Sequence, residues 1–413
     1  MRKRLVGIRD AIDHLVQQLN DRFTNPSGLE QKPLRRLPII DDCVAPVIQI
    51  GARSLIQVKY EVFISFMPAC VLAFFCLGLL SACSSGTQEP LRLQGKTMGT
   101  TWSTVVVAAA EDTEVPEATE LQAGIEQVLR RVNDQMSTWL EDSELSRFNS
   151  QQSTDWFGVS AELVNVVLAA QQVSDLSGGI YDVTVGPLVN LWGFGAGKQP
   201  DKIELSAPSA AAIEAALANV GYQKLEVRKE PPSLRKQVPG LYVDLSSIAK
   251  GYGVDQVADW LEQQGVTDFM VEIGGEIRVR GQSPRADTWR IAVEKPVELG
   301  RAVQQGLKLA AGGLATSGDY RNFFMEGGRR YSHTLDPKTG VPVRHSLASV
   351  SVMAANTMLA DAYATMLMAM GEDRGKTFAL EHGLEAYFIW RTDDGFADYA
   401  TPGFQAALLE AQD

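Results

Sequence analysis

The stretch from Leu241 to Gly281 (LYVDLSSIAKGYGVDQVADWLEQQGVTDFMVEIGGEIRVRG) constrains the fold more than any other part of the chain. LYVDL has the β-branched and aromatic character of a short buried strand. Asp244, Ser246 and Ser247 are each suited to capping a helix that follows. Ile248, Tyr252, Val257, Ala258 and Leu261 recur at helical spacing, and Gly265 stands where a C-terminal cap belongs. The stretch therefore reads as strand, tight turn, helix, strand, glycine corner and strand. Gly251 and Gly253 fall in the first turns of that helix, where a glycine weakens the helix by about 1 kcal/mol. Two readings account for them: close packing of the helix on its neighbours, or a helix start open to an anion.

The rest of the chain mixes helical and strand signals without steady alternation, which predicts an α+β fold. Gln94–Val107 reads as a glycine turn leading into a strand, and Leu121–Thr138 as a helix that runs into MSTWLEDSELSRFN. Ala161–Ser174 and Ala210–Leu217 read as helices. Trp289–Glu294, Leu307–Leu309 and Leu347–Met353 read as strands. Asn356–Met370 reads as a helix capped by Asn356 or Thr357, and a hairpin turns around Thr392–Gly395. Between Ser177 and Gly197, six glycines stand beside Tyr181, Trp192, Phe194 and one acid, Asp182, which suggests a surface shaped around a flat ligand.

A net charge of −12 argues against a nucleic-acid-binding surface. All four cysteines lie at or before Cys83, so nothing beyond it can form a disulfide or a thiolate metal site. Phe63–Leu80 is strongly apolar and runs through Leu80-Ser81-Ala82-Cys83 into a polar linker. That is the pattern of a bacterial lipoprotein signal, with Cys83 lipidated; the alternative is a single-span anchor. Either places the body outside the cytoplasm, on the periplasmic side of an inner or outer membrane. The expected organisation is an extension over 1–57, a signal over 58–83, a linker over 84–90 and a catalytic unit over 91–413.

Several groups on this unit are suited to chemistry. Asp361 and Thr365 share one helix face at i, i+4, flanked by Ala360, Ala362 and Ala364, whose small side chains are expected to leave room for a ligand to reach the oxygens. A carboxylate with a hydroxyl is a hard-oxygen set suited to Mg²⁺; the bland alternative is a solvated acid beside a helix threonine. His333 ends a strand at a turn, where a histidine can act as a general base near neutral pH, although a lone histidine is more often structural. Ser247-x-x-Lys250, Tyr320-x-Asn322 and Lys338-Thr339-Gly340 mimic the order of motifs in penicillin-binding proteins. The proline-flanked turn around Lys338 opposes that reading. No phosphate-binding G-x-x-x-x-G-K-[ST] loop is present.

Taken together, GKTMGT (Gly95–Thr100), MSTW with DSELSRFN (Met136–Asn149), GGIYDVTVGPLVNLWGFG (Gly178–Gly195), VDLSSIAKGYGVD (Val243–Asp255), ATSGDYRNFF (Ala315–Phe324), SHTLDPKTGVPV (Ser332–Val343) and LADAYATMLMAMG (Leu359–Gly371) resemble the ApbE-type FAD:protein FMN transferases. The resemblance implies one α+β catalytic unit of two subdomains with the FAD and Mg²⁺ site between them. It implies FAD contacts from Met98, Trp139, Ile180, Tyr181, Asp182, Asp244, Lys250 and Leu335. It assigns Mg²⁺ to Asp361 and Thr365, with oxygens added by Ser247 and Ala364. The implied reaction joins FMN to a threonine or serine hydroxyl of an exported protein and releases AMP. His333 is then the expected base and Asp182 its reserve. The implied acceptors are redox subunits of sodium-pumping quinone reductase or Rnf-type complexes. A FAD-binding or FAD-hydrolysing periplasmic lipoprotein is the alternative.

A signal peptide begins close to its charged region, yet 57 residues precede Val58-Lys59-Tyr60. Translation is therefore expected to begin near Val58. Mass spectrometry of the precursor should find no peptide from Met1–Gln57, and finding one would refute the expectation.

Overall fold

The computed structural model describes residues 89–410 except 108–115, 196–205, 298–299, 301 and 321. The expected signal, Cys83 and the preceding extension lie outside the described residues. In chain order the elements are β1 (Leu91–Thr97), β2 (Thr100–Val106), α1 (Ala118–Met136), α2 (Glu144–Ser150), β3 (Phe157–Gly158), α3 (Ala161–Leu176), α4 (Gly186–Leu191), α5 (Ala210–Leu217), β4 (Leu225–Arg228), β5 (Ser233–Lys236) and α6 (Ala249–Gln263). They continue with β6 (Phe269–Ile273), β7 (Glu276–Arg280), β8 (Trp289–Glu294), β9 (Val303–Leu309), β10 (Gly312–Gly318), β11 (Phe323–Glu326), β12 (Arg329–Ser332), β13 (Leu347–Ala354), α7 (Thr357–Met370), α8 (Glu372–Glu381), β14 (Glu385–Thr392), β15 (Gly395–Ala400) and α9 (Pro402–Ala407). The fold is α+β, as the mixed pattern predicts.

Eight strands form one antiparallel sheet in the order β1-β2-β6-β7-β10-β13-β14-β15. Its first hairpin turns on Met98 and Gly99, both with positive φ (48° and 73°), as a two-residue turn between twisted strands requires. β13 lies inside the sheet and is buried at every position but its last, because both faces are covered. Helices α1, α6 and α7 cover one face. The β8–β9 hairpin and α9 cover the other through Trp289, Ile291, Leu307 and Phe404. β8 accordingly alternates buried and exposed residues, the signature of a strand with one wet face.

Helices α6 and α7 hold each other by their ends. No side chain of α6's own N-terminal segment caps it, contrary to the expectation for Asp244, Ser246 and Ser247. Instead Asp361 of α7 accepts the Gly251 N–H at 3.0 Å. In return Asp255 of α6 accepts the Thr357 and Met358 N–H groups at 3.0 and 2.8 Å, at the start of α7, and pairs with Arg278 at 2.9 Å. Asn356 caps α7 from within, as expected, by accepting the Leu359 N–H. The glycines of α6 make this approach possible. A Cβ on Gly251 would stand 2.3 Å from the Thr357 carbonyl oxygen, and one on Gly253 would stand 3.0 Å from the Met98 methyl. Of the two readings of these glycines, close packing is what the structure supports. The same holds for Ala360, Ala362 and Ala364, which are fully buried and give α7 its close packing rather than room for a ligand.

Leu241–Leu245 is buried except at the half-buried Tyr242 but does not form the expected strand; Tyr242 makes only an isolated bridge to Val185. The ladder position beside Val243 is taken by a side chain. Asn149 donates to the Val243 carbonyl and accepts its N–H, both at 2.8 Å. Nearby, Lys236 is fully buried and donates to the carbonyls of Asn149, Pro239 and Leu241.

Gly251→Ala should destabilise the protein by about 1–3 kcal/mol, because the added methyl meets backbone that cannot swing away. Gly158→Ala, which meets nothing within 4 Å, should be near neutral by comparison. Urea denaturation of both variants measures the difference.

Candidate active site

A cleft of about 400 Å³ opens where α6, α7, the ends of β7 and β10, and the loops before α4 and after β12 converge. The start of α6 carries Ser247 and Lys250 into it, and α7 carries Asp361 and Thr365. Lys250 Nζ lies 3.0 Å from Glu276 Oε1 and 3.5 Å from Asp361 Oδ1. Burial opposes the Lys250 charge, but Asp361 and Glu276 outweigh it and hold the ammonium above its usual range. Burial pushes the Glu276 carboxyl up, with Lys250 opposing the shift. Ser247 Oγ donates to the Tyr181 hydroxyl at 2.9 Å, and burial raises that phenol, so it stays protonated.

The glycine-rich segment 177–195 builds one wall. Gly178 and Gly179 both take positive φ as the chain leaves α3, and Ser177 Oγ accepts the Tyr181 N–H. Asp182 locks the turn: Oδ1 accepts from the Thr184 N–H and hydroxyl at 2.7 and 2.6 Å, and Oδ2 accepts from the Tyr222 N–H at 2.9 Å. Burial raises its carboxyl, opposed by those hydrogen bonds. Asp182 lines the cleft with both oxygens engaged, an arrangement suited to holding the loop rather than to accepting a proton. Asp244 also lines the cleft and folds back to accept the Ser246 N–H at 2.8 Å.

His333 faces these groups from the residue after β12. Its backbone N–H donates to the Asn322 carbonyl, and its Nδ1 lies 3.1 Å from the same oxygen. That contact requires a proton on Nδ1, which leaves Nε2 as the acceptor. Burial depresses the imidazole below its usual value, so the ring is neutral near pH 7. Phe194 meets the ring edge-on at 6.3 Å. Behind it Trp192, Phe324 and Tyr331 pack together, with the last two stacked at 5.1 Å. Leu335 completes this apolar side.

The predicted residues divide between two connected spaces. Ile180, Tyr181, Asp182, Asp244, Ser247, Lys250, His333, Leu335, Asp361 and Thr365 line the main cleft. Met98 instead lines an adjoining pocket of about 180 Å³, which shares Thr138, Trp139, Ser246 and Lys250 with the cleft. Trp139 stands at the common rim, 62% exposed, on a turn whose Trp139 and Leu140 N–H groups donate to Ser137 Oγ. Ala364 does not line the cleft: its methyl is fully buried, so a backbone carbonyl is the one oxygen it has to offer.

Sequence reasoning missed Glu276, although it follows the glycine corner of the stretch that organises the chain. Its Oε2 is buried and has no hydrogen-bond partner among the described residues. Among the described residues, no three His, Cys, Asp or Glu side chains gather as a metal cage. Asp361, Thr365 and Ser247 offer one carboxylate and two hydroxyls on one cleft wall, and among the described residues Asp361 Oδ1 has only the long contact to Lys250. That set fits a cation such as Mg²⁺, which fills its shell with water and substrate phosphates. The penicillin-binding arrangement is absent, because Ser247 bonds Tyr181, Lys250 is paired with acids, and Lys338-Thr339-Gly340 lies in a turn.

Comparison with known proteins agrees with this geometry. The profile of the ApbE family matches residues 98–388. A FAD:protein FMN transferase of Vibrio cholerae is 44% identical over 338 residues, which is 82% of this chain and 98% of that protein. One of Escherichia coli K12 is 38% identical over 319 residues, 77% of this chain and 89% of that protein. The solved flavin transferase ApbE from Vibrio cholerae superposes with a TM-score of 0.71 over 78% of this chain and 99% of that one, at 44% identity. The ApbE protein of Thermotoga maritima gives 0.67 over 78% of this chain and all of that one, at 28% identity. With the matched region spanning the cleft and every wall that lines it, the chain belongs to the ApbE family.

Proposed function

We propose that this protein transfers the FMN moiety of FAD to a threonine or serine hydroxyl of an exported redox protein and releases AMP. The observation that supports this most directly is the convergence on one cleft of Lys250, Asp361 and the unprotonated Nε2 of His333. Family membership and the names of the relatives support the flavin chemistry. The acceptors we propose are subunits of the sodium-pumping quinone reductase or Rnf type. The lipid anchor at Cys83 and a periplasmic location belong to the same proposal.

The residues divide the work. The Lys250 ammonium, carried on the first turn of α6, neutralises charge on the pyrophosphate of FAD. His333 Nε2 takes the proton of the acceptor hydroxyl as its oxygen attacks the FMN-side phosphorus. The Asn322 carbonyl holds the tautomer that makes this possible. Met98 and Trp139 hold the flavin end in the side pocket, and the Ile180–Asp182 turn and Leu335 hold the remainder. Asp361 and Thr365, with oxygens from Ser247 and the Ala364 backbone, would hold Mg²⁺. Once bound, Mg²⁺ supplies Lewis acidity and orientation at the pyrophosphate.

Incubation of residues 84–413 with FAD, Mg²⁺ and a co-encoded periplasmic redox subunit should give a fluorescent acceptor band on a denaturing gel. EDTA should abolish the band. Asp361→Asn should abolish it too while sparing FAD binding, and unchanged transfer by that variant would refute the metal assignment. Release of FMN and AMP without a labelled band would instead support FAD hydrolysis.

His333→Ala should lower kcat about 10²–10⁴-fold, the usual contribution of a general base. Because the base must be neutral and its pKa in the free protein is depressed, the acid limb of the wild-type kcat/KM–pH profile should fall below pH 6.5, the ordinary histidine value. A limb at or above that value would refute the assignment.

A further inference from the structure

Lys250 is shared unequally by two acids. Its contact with Glu276, at 3.0 Å, is the shorter, and its contact with Asp361, at 3.5 Å, is beyond ordinary hydrogen-bond length. Glu276 is itself 2% exposed, on the sheet face covered by α6 and α7. Gly274 and Gly275, with φ of 65° and 110°, turn the chain between β6 and β7 and set Glu276 opposite Ile273. A carboxylate in such a place is strongly unfavourable unless it is paired. Asp361, by contrast, has a second engagement of its own, the Gly251 N–H at 3.0 Å. Its Oδ1 is the oxygen that Lys250 and a bound cation would both claim.

Resting on the reading of Asp361 as a cation ligand, we propose that Glu276 is a positioning residue. Its carboxylate holds the Lys250 ammonium aside and so leaves Asp361 Oδ1 to the divalent cation. Two cationic groups on one carboxylate repel each other at this short range. A dedicated counter-ion for the lysine removes that conflict. It also keeps Lys250 in the cleft, where it meets the anionic substrate. With both acids ionised, Lys250, Glu276 and Asp361 together carry one net negative charge. A divalent cation brings this to one net positive charge, a balance suited to an incoming pyrophosphate.

The test is calorimetric titration of the full chain with Mg²⁺ alone, comparing wild type with four variants. Glu276→Gln should weaken Mg²⁺ binding by about tenfold or more, since the released ammonium then competes for Asp361. Glu276→Asp keeps the charge but withdraws it from Lys250 by one methylene, and should weaken binding in the same direction. Combining Glu276→Gln with Lys250→Met removes the competitor and should restore affinity to within about threefold of wild type, near the limit at which distinct free energies are resolved. Thermal melts confirm that each variant is folded. Wild-type affinity in a folded Glu276→Gln or Glu276→Asp variant would overturn the proposal, as would a double variant that stays as weak as Glu276→Gln. Asp361→Asn separates the two levels of the argument. If it binds Mg²⁺ like wild type, the cation reading fails and this proposal with it. If it loses binding while Glu276→Gln does not, only the role of Glu276 fails.

Discussion

The mutual capping of α6 and α7 is the constraint on which the rest of the site depends. Each helix exposes N–H groups at its start, and each receives a carboxylate from the body of the other: Asp361 to Gly251, and Asp255 to Thr357 and Met358. A hydrogen bond to a charged group contributes about 1.5–3 kcal/mol, and losing one partner strands the other in the interior. The two helices are thereby held in one relative register. That register brings Lys250 and Asp361 to the same wall of the cleft. Gly251 is part of the same constraint, since a larger residue would keep the two backbones apart.

From this frame the charges of the site follow. Asp361 serves structure with one oxygen and faces the cleft chemistry with the other, so its position is set before any ligand arrives. Lys250 is held between two acids at the first turn of α6, where the helix dipole already favours an anion. Across the cleft, the Asn322 carbonyl fixes the His333 tautomer, and Phe194 borders the ring. Different kinds of group thus stand on opposite walls: cationic and hard-oxygen groups on the helices, a neutral imidazole after β12. Such preorganisation matters because an enzyme gains rate from dipoles that need not reorient during reaction.

Long periodic elements were legible in the sequence. Helices α1, α3 and α7, the β14–β15 hairpin and the glycine corner between β6 and β7 all lie close to where patterning placed them. The i, i+4 pairing of Asp361 and Thr365 also brought both residues to the cleft. The failures share a cause. Leu241–Leu245 has strand composition, but Asn149, 94 residues distant from Val243, occupies the hydrogen bonds a neighbouring strand would have made. The start of α6 has three suitable capping residues nearby, yet the cap comes from Asp361, 110 residues away. The alanines beside Asp361 suggested space for a ligand, whereas they are fully buried in the packing of α7. Glu276 escaped notice because a glutamate in a strand pattern reads as a solvent-facing residue, and its burial depends on what covers that face of the sheet.

The sequence by itself determined the element types, the α+β class and the residues available for chemistry, because these follow from local periodicity, turn chemistry and side-chain identity. It also carried the family, since the motifs appear in order along the chain. Only the tertiary structure decided which acid pairs with Lys250, which nitrogen of His333 is free, that Asp182 clamps a loop with both oxygens, and that Met98 serves a side pocket. Most of these depend on contacts between residues far apart in the chain, such as Lys250 with Asp361 and Asp182 with Tyr222. No local pattern encodes such pairings; they are selected when burial leaves each polar group one partner within reach.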